Sequence, residues 1–248
     1  MKENRVGIWS KIKVLSYLLG GLLRPNQLKG DLTVFYRAAK LRASQLRSEC
    51  LVDIFPGIET CQIKLQYQPL LGGGNIADVA TISQLAKFLE RRCMFEIGTF
   101  RGDTTYHLAL NTAKEAHVYT LDLPASELAM AKLEITDAPL INKTESGERF
   151  HNTPISGKIT QLFGDSASFD YSSYEGRIDL VFIDGGHSYE YAMADSVQAR
   201  RLLSPNGIIL WHDYPTWPGV WYCLENLSRQ WPGSFVHIKG TALVLWRQ

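Results

Sequence analysis

Residues 93–105 read CMFEIGTFRGDTT, and this stretch decides how the chain folds. Cys93 to Ile97 form an apolar run of strand length, Gly98 to Gly102 a glycine-bearing turn, and the residues from Asp103 through TTYHLAL have the spacing of a helix. A strand that passes through a short turn into a helix opens a βαβ unit, and a ligand over that turn would lie at the carboxyl edge of a sheet. The glycines stand as Gly98-x-x-x-Gly102, which is neither the G-x-G-x-x-G of a dinucleotide turn nor the G-x-x-x-x-G-K-[ST] of a P-loop. Glu96 and Asp103 flank the turn, and carboxylates there repel a phosphate. A ligand carrying an ammonium or sulfonium group suits the position better.

Outward from this turn, apolar runs alternate with helical segments: HVYTLDL at 117–123, KITQLFG at 158–164, RIDLVFID at 177–184 and GIILWHD at 207–213. That alternation predicts a doubly wound α/β fold with a mainly parallel sheet covered on both faces. SFVHIKG and TALVLWR, at 234–240 and 241–247, are too close for a crossover and must form an antiparallel hairpin, which makes the expected sheet seven-stranded. Upstream, DLTVFYRAAKLRASQLRS at 31–48 reads as one helix starting on an Asp cap. LLGGGN at 70–75 is a break, and IADVATISQLAKFLERR at 76–92 a second helix. The expected organisation is a helical extension over residues 1–75 and a ligand-binding domain over 76–248. The long polar insertion at 136–154 is a candidate lid.

The chain has 248 residues, 45% of them hydrophobic, and a net charge of +1, so the basic footprint of a dedicated nucleic-acid binder is missing. Cys50, Cys61, Cys93 and Cys223 are scattered without a C-x-x-C pair and read as reduced thiols of a cytoplasmic protein. Residues 7–24 contain VLSYLLGGLL behind Lys11 and Lys13. They fit a helix packed on this chain or on a second copy, a peripheral membrane-surface helix, or a signal or anchor. The apolar core is too short to span a bilayer.

Asp122 follows Gly102 by about twenty residues, where a carboxylate can accept both hydroxyls of a ribose; its plainer reading is a strand-end cap. Gly164-Asp165-Ser166 ends the next run, placed to meet an adenine edge. With these residues in this order, the chain resembles class I S-adenosylmethionine-dependent methyltransferases over roughly residues 76–246. FEIGTFRG resembles the motif that cradles the methionine part of that cofactor, LDL the ribose motif and GDS the adenine-side motif. The resemblance implies a cofactor site lined by Glu96, Gly98, Thr99, Gly102, Asp122, Asp165 and Ser166, and a reversed last strand.

Two further carboxylates suggest how an acceptor is activated. Asp184 ends the fourth run and Asp213 the fifth, and strands joined by a short right-handed crossover are usually neighbours. The two carboxylates then converge, and they repel unless a cation or a shared proton separates them. Mg²⁺ fits such a site, while His212 as a third ligand tilts the preference towards Mn²⁺, Fe²⁺ or Zn²⁺. The plainer reading has Asp184 capping a helix and Asp213 closing a loop. His187, behind Gly185-Gly186, is placed to take a proton from a substrate hydroxyl or to bond the loop backbone. DGGHSYE with HDY resembles the metal-dependent branch containing macrocin-type sugar and cephalosporin-biosynthesis O-methyltransferases. That resemblance implies a metal on Asp184 and a base at His187, with a small-molecule hydroxyl as acceptor. The branch often carries an acidic pair where this chain has His212-Asp213. Tyr214, Trp217 and Trp221 follow as candidate walls of an acceptor site, with Trp221 also at core spacing.

Overall fold

The turn at 98–102 does join a strand to a helix, and the reason lies in two-sided burial. A computed structural model describes residues 25–66, 75–135 and 145–248. In β2 (Cys93–Ile97), Phe95 and Ile97 enter one core while Met94 enters the other. β5 (Ile178–Ile183) divides Val181 and Ile183 from Leu180 and Phe182 in the same way, and β6 (Leu203–Trp211) divides Ile209 and Trp211 from Ile208 and Leu210. Each such side chain contributes roughly 1.5–3 kcal/mol of burial, which is why these strands read as continuous apolar runs.

Helices cover both faces. α3 (Ile76–Phe88) and α4 (Asp103–Asn111) supply Ile82, Leu85, Leu108 and Ala109 to one core. α5 (Tyr189–Leu202) and α6 (Pro218–Gln230) supply Ala199, Leu202, Leu224 and Leu227 to the other. α3 starts on Asn75, whose side chain accepts from the Ala77 amide, and stops at Phe88 rather than continuing to residue 92. There Glu90 takes a positive φ of 50° and the Arg91 amide bonds back to the Ala86 carbonyl, a Schellman-type stop.

The remaining strands are β3 (His117–Asp122), β4 (Ile159–Phe163), β7 (Ser234–Ile238) and β8 (Val244–Arg247), with a short β1 (Arg47–Glu49). The sheet has eight strands in the order β1-β7-β8-β6-β5-β2-β3-β4. β8 is antiparallel to both β6 and β7, so the terminal hairpin is present as expected. The strand count corrects the sequence reading. The upstream helix, α1, runs Pro25–Ala43, and residues 47–49 leave it to pair in parallel with β7. Contacts from far along the chain override local helical preference here: Ser48 Oγ meets His237 Nδ1 at 2.8 Å, and the Gln45 amide donates to Glu225 at 3.0 Å.

The chain divides into two compact units, residues 1–44 and 45–248. Residues 7–24 lie outside the described residues. Among those described, no helix is long and apolar enough to cross a membrane.

Candidate active site

The strand order places the chemistry. Read across the sheet as β6-β5-β2-β3-β4, the carboxyl ends present Asp213, Asp184, Gly98, Asp122 and Gly164 in sequence. The residues singled out from the sequence therefore share one edge, where open α/β sheets bind ligands.

On the β2–β3 side the turn is built by close approach. Gly98 has φ +98°, and a Cβ there would collide with the Asp184 carbonyl oxygen. Gly102, the cap of α4 with φ +84°, lies under the Phe150 ring, 2.5 Å from where its Cβ would be. Phe150 belongs to the 136–154 insertion, whose described part packs on this turn. The Gly147 amide donates to the Phe100 carbonyl and the Arg149 amide to the Arg101 carbonyl, both at 2.9 Å.

Glu96 sits beneath the turn, 2% exposed, and accepts from Thr105 Oγ1 and, at 2.5 Å, from Thr120 Oγ1. Burial pushes its pKa up to about 8 against the pull of those two hydroxyls, so at neutral pH it is largely a carboxylic acid. Thr99 faces inward too, with its hydroxyl 2.7 Å from that of Thr120 and accepting from Gln161 at 3.1 Å. Asp122 accepts from the Phe100 amide at 3.3 Å and from the Ser146 hydroxyl. Asp165 accepts from the Ala167 amide, the Lys132 amide and the Tyr191 hydroxyl at 2.7–3.0 Å. Ser166 lies beside buried Asp195, whose carboxyl burial pushes up to about 7.

The β5–β6 side concentrates charge. One ligand-type atom each from Asp184, His212 and Asp213 lie within 4.8 Å of one another, which is the convergence expected from the two strand ends. His212 Nδ1 lies 2.9 Å from Asp184 and Nε2 3.1 Å from Asp78, with Asp213 3.5 Å from Nδ1. Burial works against its charge, but Asp184 and the bonds to Asp184, Asp213 and Asp78 raise its pKa well above the ordinary histidine value. His187 donates from Nε2 to Asp213 at 2.5 Å. Burial would push the Asp213 carboxyl up, yet the two imidazoles hold it well below the usual carboxylate range. Asp213 has a positive φ of 65°, a strained conformation for a residue with a side chain and of the kind that gathers at functional sites. Asp184 is the most open of the four, with 30% of its side chain exposed.

Of the aromatic residues, Trp217 stacks on His187 with ring centroids 4.5 Å apart and planes 18° from parallel. Trp221 is half-buried against the core. Tyr214 corrects its reading as an acceptor wall: it is fully buried, with its hydroxyl donated to Glu225 at 2.9 Å. Residues that the sequence did not single out include Thr105, Thr120, Ser146 and Asp78.

The donor set suits a divalent cation. Two carboxylates and an imidazole converge, and the imidazole's far nitrogen is already held by a carboxylate, the usual support of a metal-bound histidine.

Residues 95–214 match the family model described as a methyltransferase domain. Over those residues the chain carries a methyltransferase domain, and its fold is that of S-adenosylmethionine-dependent methyltransferases. Similar folds include the O-methyltransferase TomG of Streptomyces achromogenes, solved with S-adenosylmethionine and involved in tomaymycin synthesis (17% identity, 80% of this chain and 96% of that one, TM-score 0.53). The Podospora anserina methyltransferase PaMTH1, solved with S-adenosylhomocysteine, aligns at 18% identity over 88% of this chain and 95% of that one, TM-score 0.55. An O-methyltransferase from Bacillus cereus, also with S-adenosylhomocysteine, aligns at 15% identity over 79% and 89%, TM-score 0.51. Among curated proteins, none matches the chain. The methyltransferase domain thus takes in the glycine turn, Asp122, Asp184 and His212-Asp213.

Proposed function

We propose that this methyltransferase transfers a methyl group from S-adenosylmethionine to a hydroxyl of a small molecule, such as a sugar, a natural product or a catechol-like ring. A divalent cation, Mg²⁺ or Mn²⁺, and a histidine base assist. The observation that carries the reading is the convergence of Asp184, His212, Asp213 and His187 beside the glycine turn. When bound, the cofactor supplies an electrophilic methyl group and the cation supplies positive charge that lowers the pKa of the acceptor hydroxyl. Glu96, Gly98, Thr99 and Gly102 shape the cofactor's methionine end, Asp122 accepts from its ribose, and Asp165 and Ser166 border the adenine. Asp184, Asp213 and His212 hold the cation. The N donor of His212 moves the preference from Mg²⁺ towards Mn²⁺.

His187 is oriented by Asp213 at Nε2 and by the Trp217 ring, and it takes the proton of the acceptor hydroxyl on Nδ1, since Nε2 already donates. Asp213 stabilises the imidazolium that results, the logic of an acid-oriented histidine base. Segment 145–154 shields the turn from water on the cofactor side.

One observation favours a second reading. A charged His212 between Asp78, Asp184 and Asp213 neutralises the cluster without a metal, as a metal-independent transferase of the same fold would need. Methyl transfer to a panel of sugars and catechol-like hydroxyls, with and without chelator, separates the two. The metal-assisted reading expects activity lost on chelation and restored by Mn²⁺ or Mg²⁺, whereas chelator-resistant turnover overturns it.

A further inference from the structure

Asp78 belongs to no motif and lies 134 residues from the histidine it touches. It sits in the first turn of α3, 2% exposed, where burying an unpaired carboxylate would cost several kcal/mol. Both of its oxygens are used. Oδ2 accepts from His212 Nε2 at 3.1 Å, and Oδ1 accepts from the Ala242 amide at 2.9 Å, in the turn between β7 and β8. The Ala242 carbonyl in turn accepts from the Tyr214 amide at 3.1 Å, so the hairpin turn, the loop after β6 and the start of α3 are fixed to one another.

We propose that Asp78 is a positioning residue that makes His212 a ligand through Nδ1. The inference rests on the metal-assisted reading given above. A carboxylate can only accept, so the proton facing Asp78 must stay on Nε2. With a cation on Asp184 and Asp213, those carboxylates would no longer draw a proton to Nδ1; the one proton of the neutral imidazole would then stay on Nε2, leaving the Nδ1 lone pair towards the side that Asp184 and Asp213 occupy. The opposite tautomer would set a nitrogen lone pair against the Asp78 oxygen and turn an N–H towards the cation. Asp78 also fixes the plane of the ring, because its other oxygen is held by backbone that cannot follow a rotating imidazole.

The Ala242 amide makes Asp78→Asn a sharp test. The Asn side-chain oxygen must face the Ala242 N–H, since the reverse placement would set two donors against each other. Its NH₂ group then faces His212 Nε2, which must become an acceptor, and the ring proton moves to Nδ1. The substitution keeps size and the hairpin bond while inverting the tautomer.

The experiment uses full-length protein with ¹⁵N-labelled histidine, Mn²⁺ titration, and electron spin-echo detection of nitrogen coupling to the bound ion. Wild type is expected to show an imidazole coupling that His212→Asn lacks. Asp78→Asn should lose that coupling and bind Mn²⁺ about 10- to 100-fold more weakly, the usual effect of removing such a support. S-adenosylhomocysteine affinity should be unchanged in both variants, which excludes misfolding. Coupling and Mn²⁺ affinity retained in Asp78→Asn would overturn this inference alone, as would a wild-type ion with no nitrogen coupling. A wild type that binds no Mn²⁺ would overturn the metal-assisted reading, and this inference with it.

Discussion

Glu96, buried, and Asp213, half-buried, are carboxyls at the same edge of the same sheet, and they are driven in opposite directions. Glu96 has only the hydroxyls of Thr105 and Thr120 as partners, and burial pushes it up to about 8. Asp213 has two imidazoles, and they hold it well below the ordinary range against the effect of its partial burial. Burial favours the neutral acid in both, and the chemistry of the partner decides whether it prevails. Neutral partners leave the β2 end a quiet floor for a cationic cofactor, while histidines make the β6 end a concentrated set of charges suited to handling a proton and a metal.

The largest effect that would break this contrast is at Asp184. Asp184→Ala should lower methyl transfer by about 1,000-fold or more while S-adenosylhomocysteine affinity stays near wild type, as read by steady-state kinetics beside calorimetry. Joint loss of both would show that the two ends do not divide the work. His187→Gln should come next, with kcat reduced about 100- to 1,000-fold and Mn²⁺ affinity little changed, since the Gln amide can still donate to Asp213 but cannot act as a base.

Glu96 sharpens the comparison through stability. Its folded pKa of about 8 exceeds the ordinary 4.5, so between those values the folded state binds more protons than the unfolded one. The stability contributed by the neutral carboxyl is therefore present below pH 4.5 and lost as pH rises towards 8. Glu96→Gln should remove this slope and raise the stability of cofactor-free protein at pH 8.5 by about 3 kcal/mol relative to wild type, as read by urea denaturation. A pH profile unchanged by the substitution would mean that Glu96 is ionised after all. Smallest is Tyr214→Phe, which removes the bond to Glu225 and should cost about 1–3 kcal/mol of stability with little change in KM for the acceptor. A large rise in KM would return Tyr214 to the acceptor wall.

How much of this could be read from residues alone follows from the distance over which each feature is determined. The strands were legible because two-sided burial leaves continuous apolar runs, and the meeting of Asp184 with Asp213 followed from one short crossover between adjacent strands. The glycine turn was legible as a ligand edge, although Gly102 answers to Phe150 from the insertion. Features set by distant partners were not legible. β1 is fixed by β7 across most of the chain, Asp78 finds His212 only once the sheet has formed, and Ser146 reaches Asp122 from an insertion without regular pattern. Tyr214 was misread because its partner, Glu225, is a buried carboxyl that no local pattern reveals.

The most direct test of the division between the two ends is a paired titration of S-adenosylhomocysteine and of Mn²⁺ into metal-stripped wild type and Asp184→Ala. The account predicts that both proteins bind S-adenosylhomocysteine and that only wild type takes up Mn²⁺. Absence of cofactor binding in wild type, or Mn²⁺ uptake undiminished in Asp184→Ala, would contradict it.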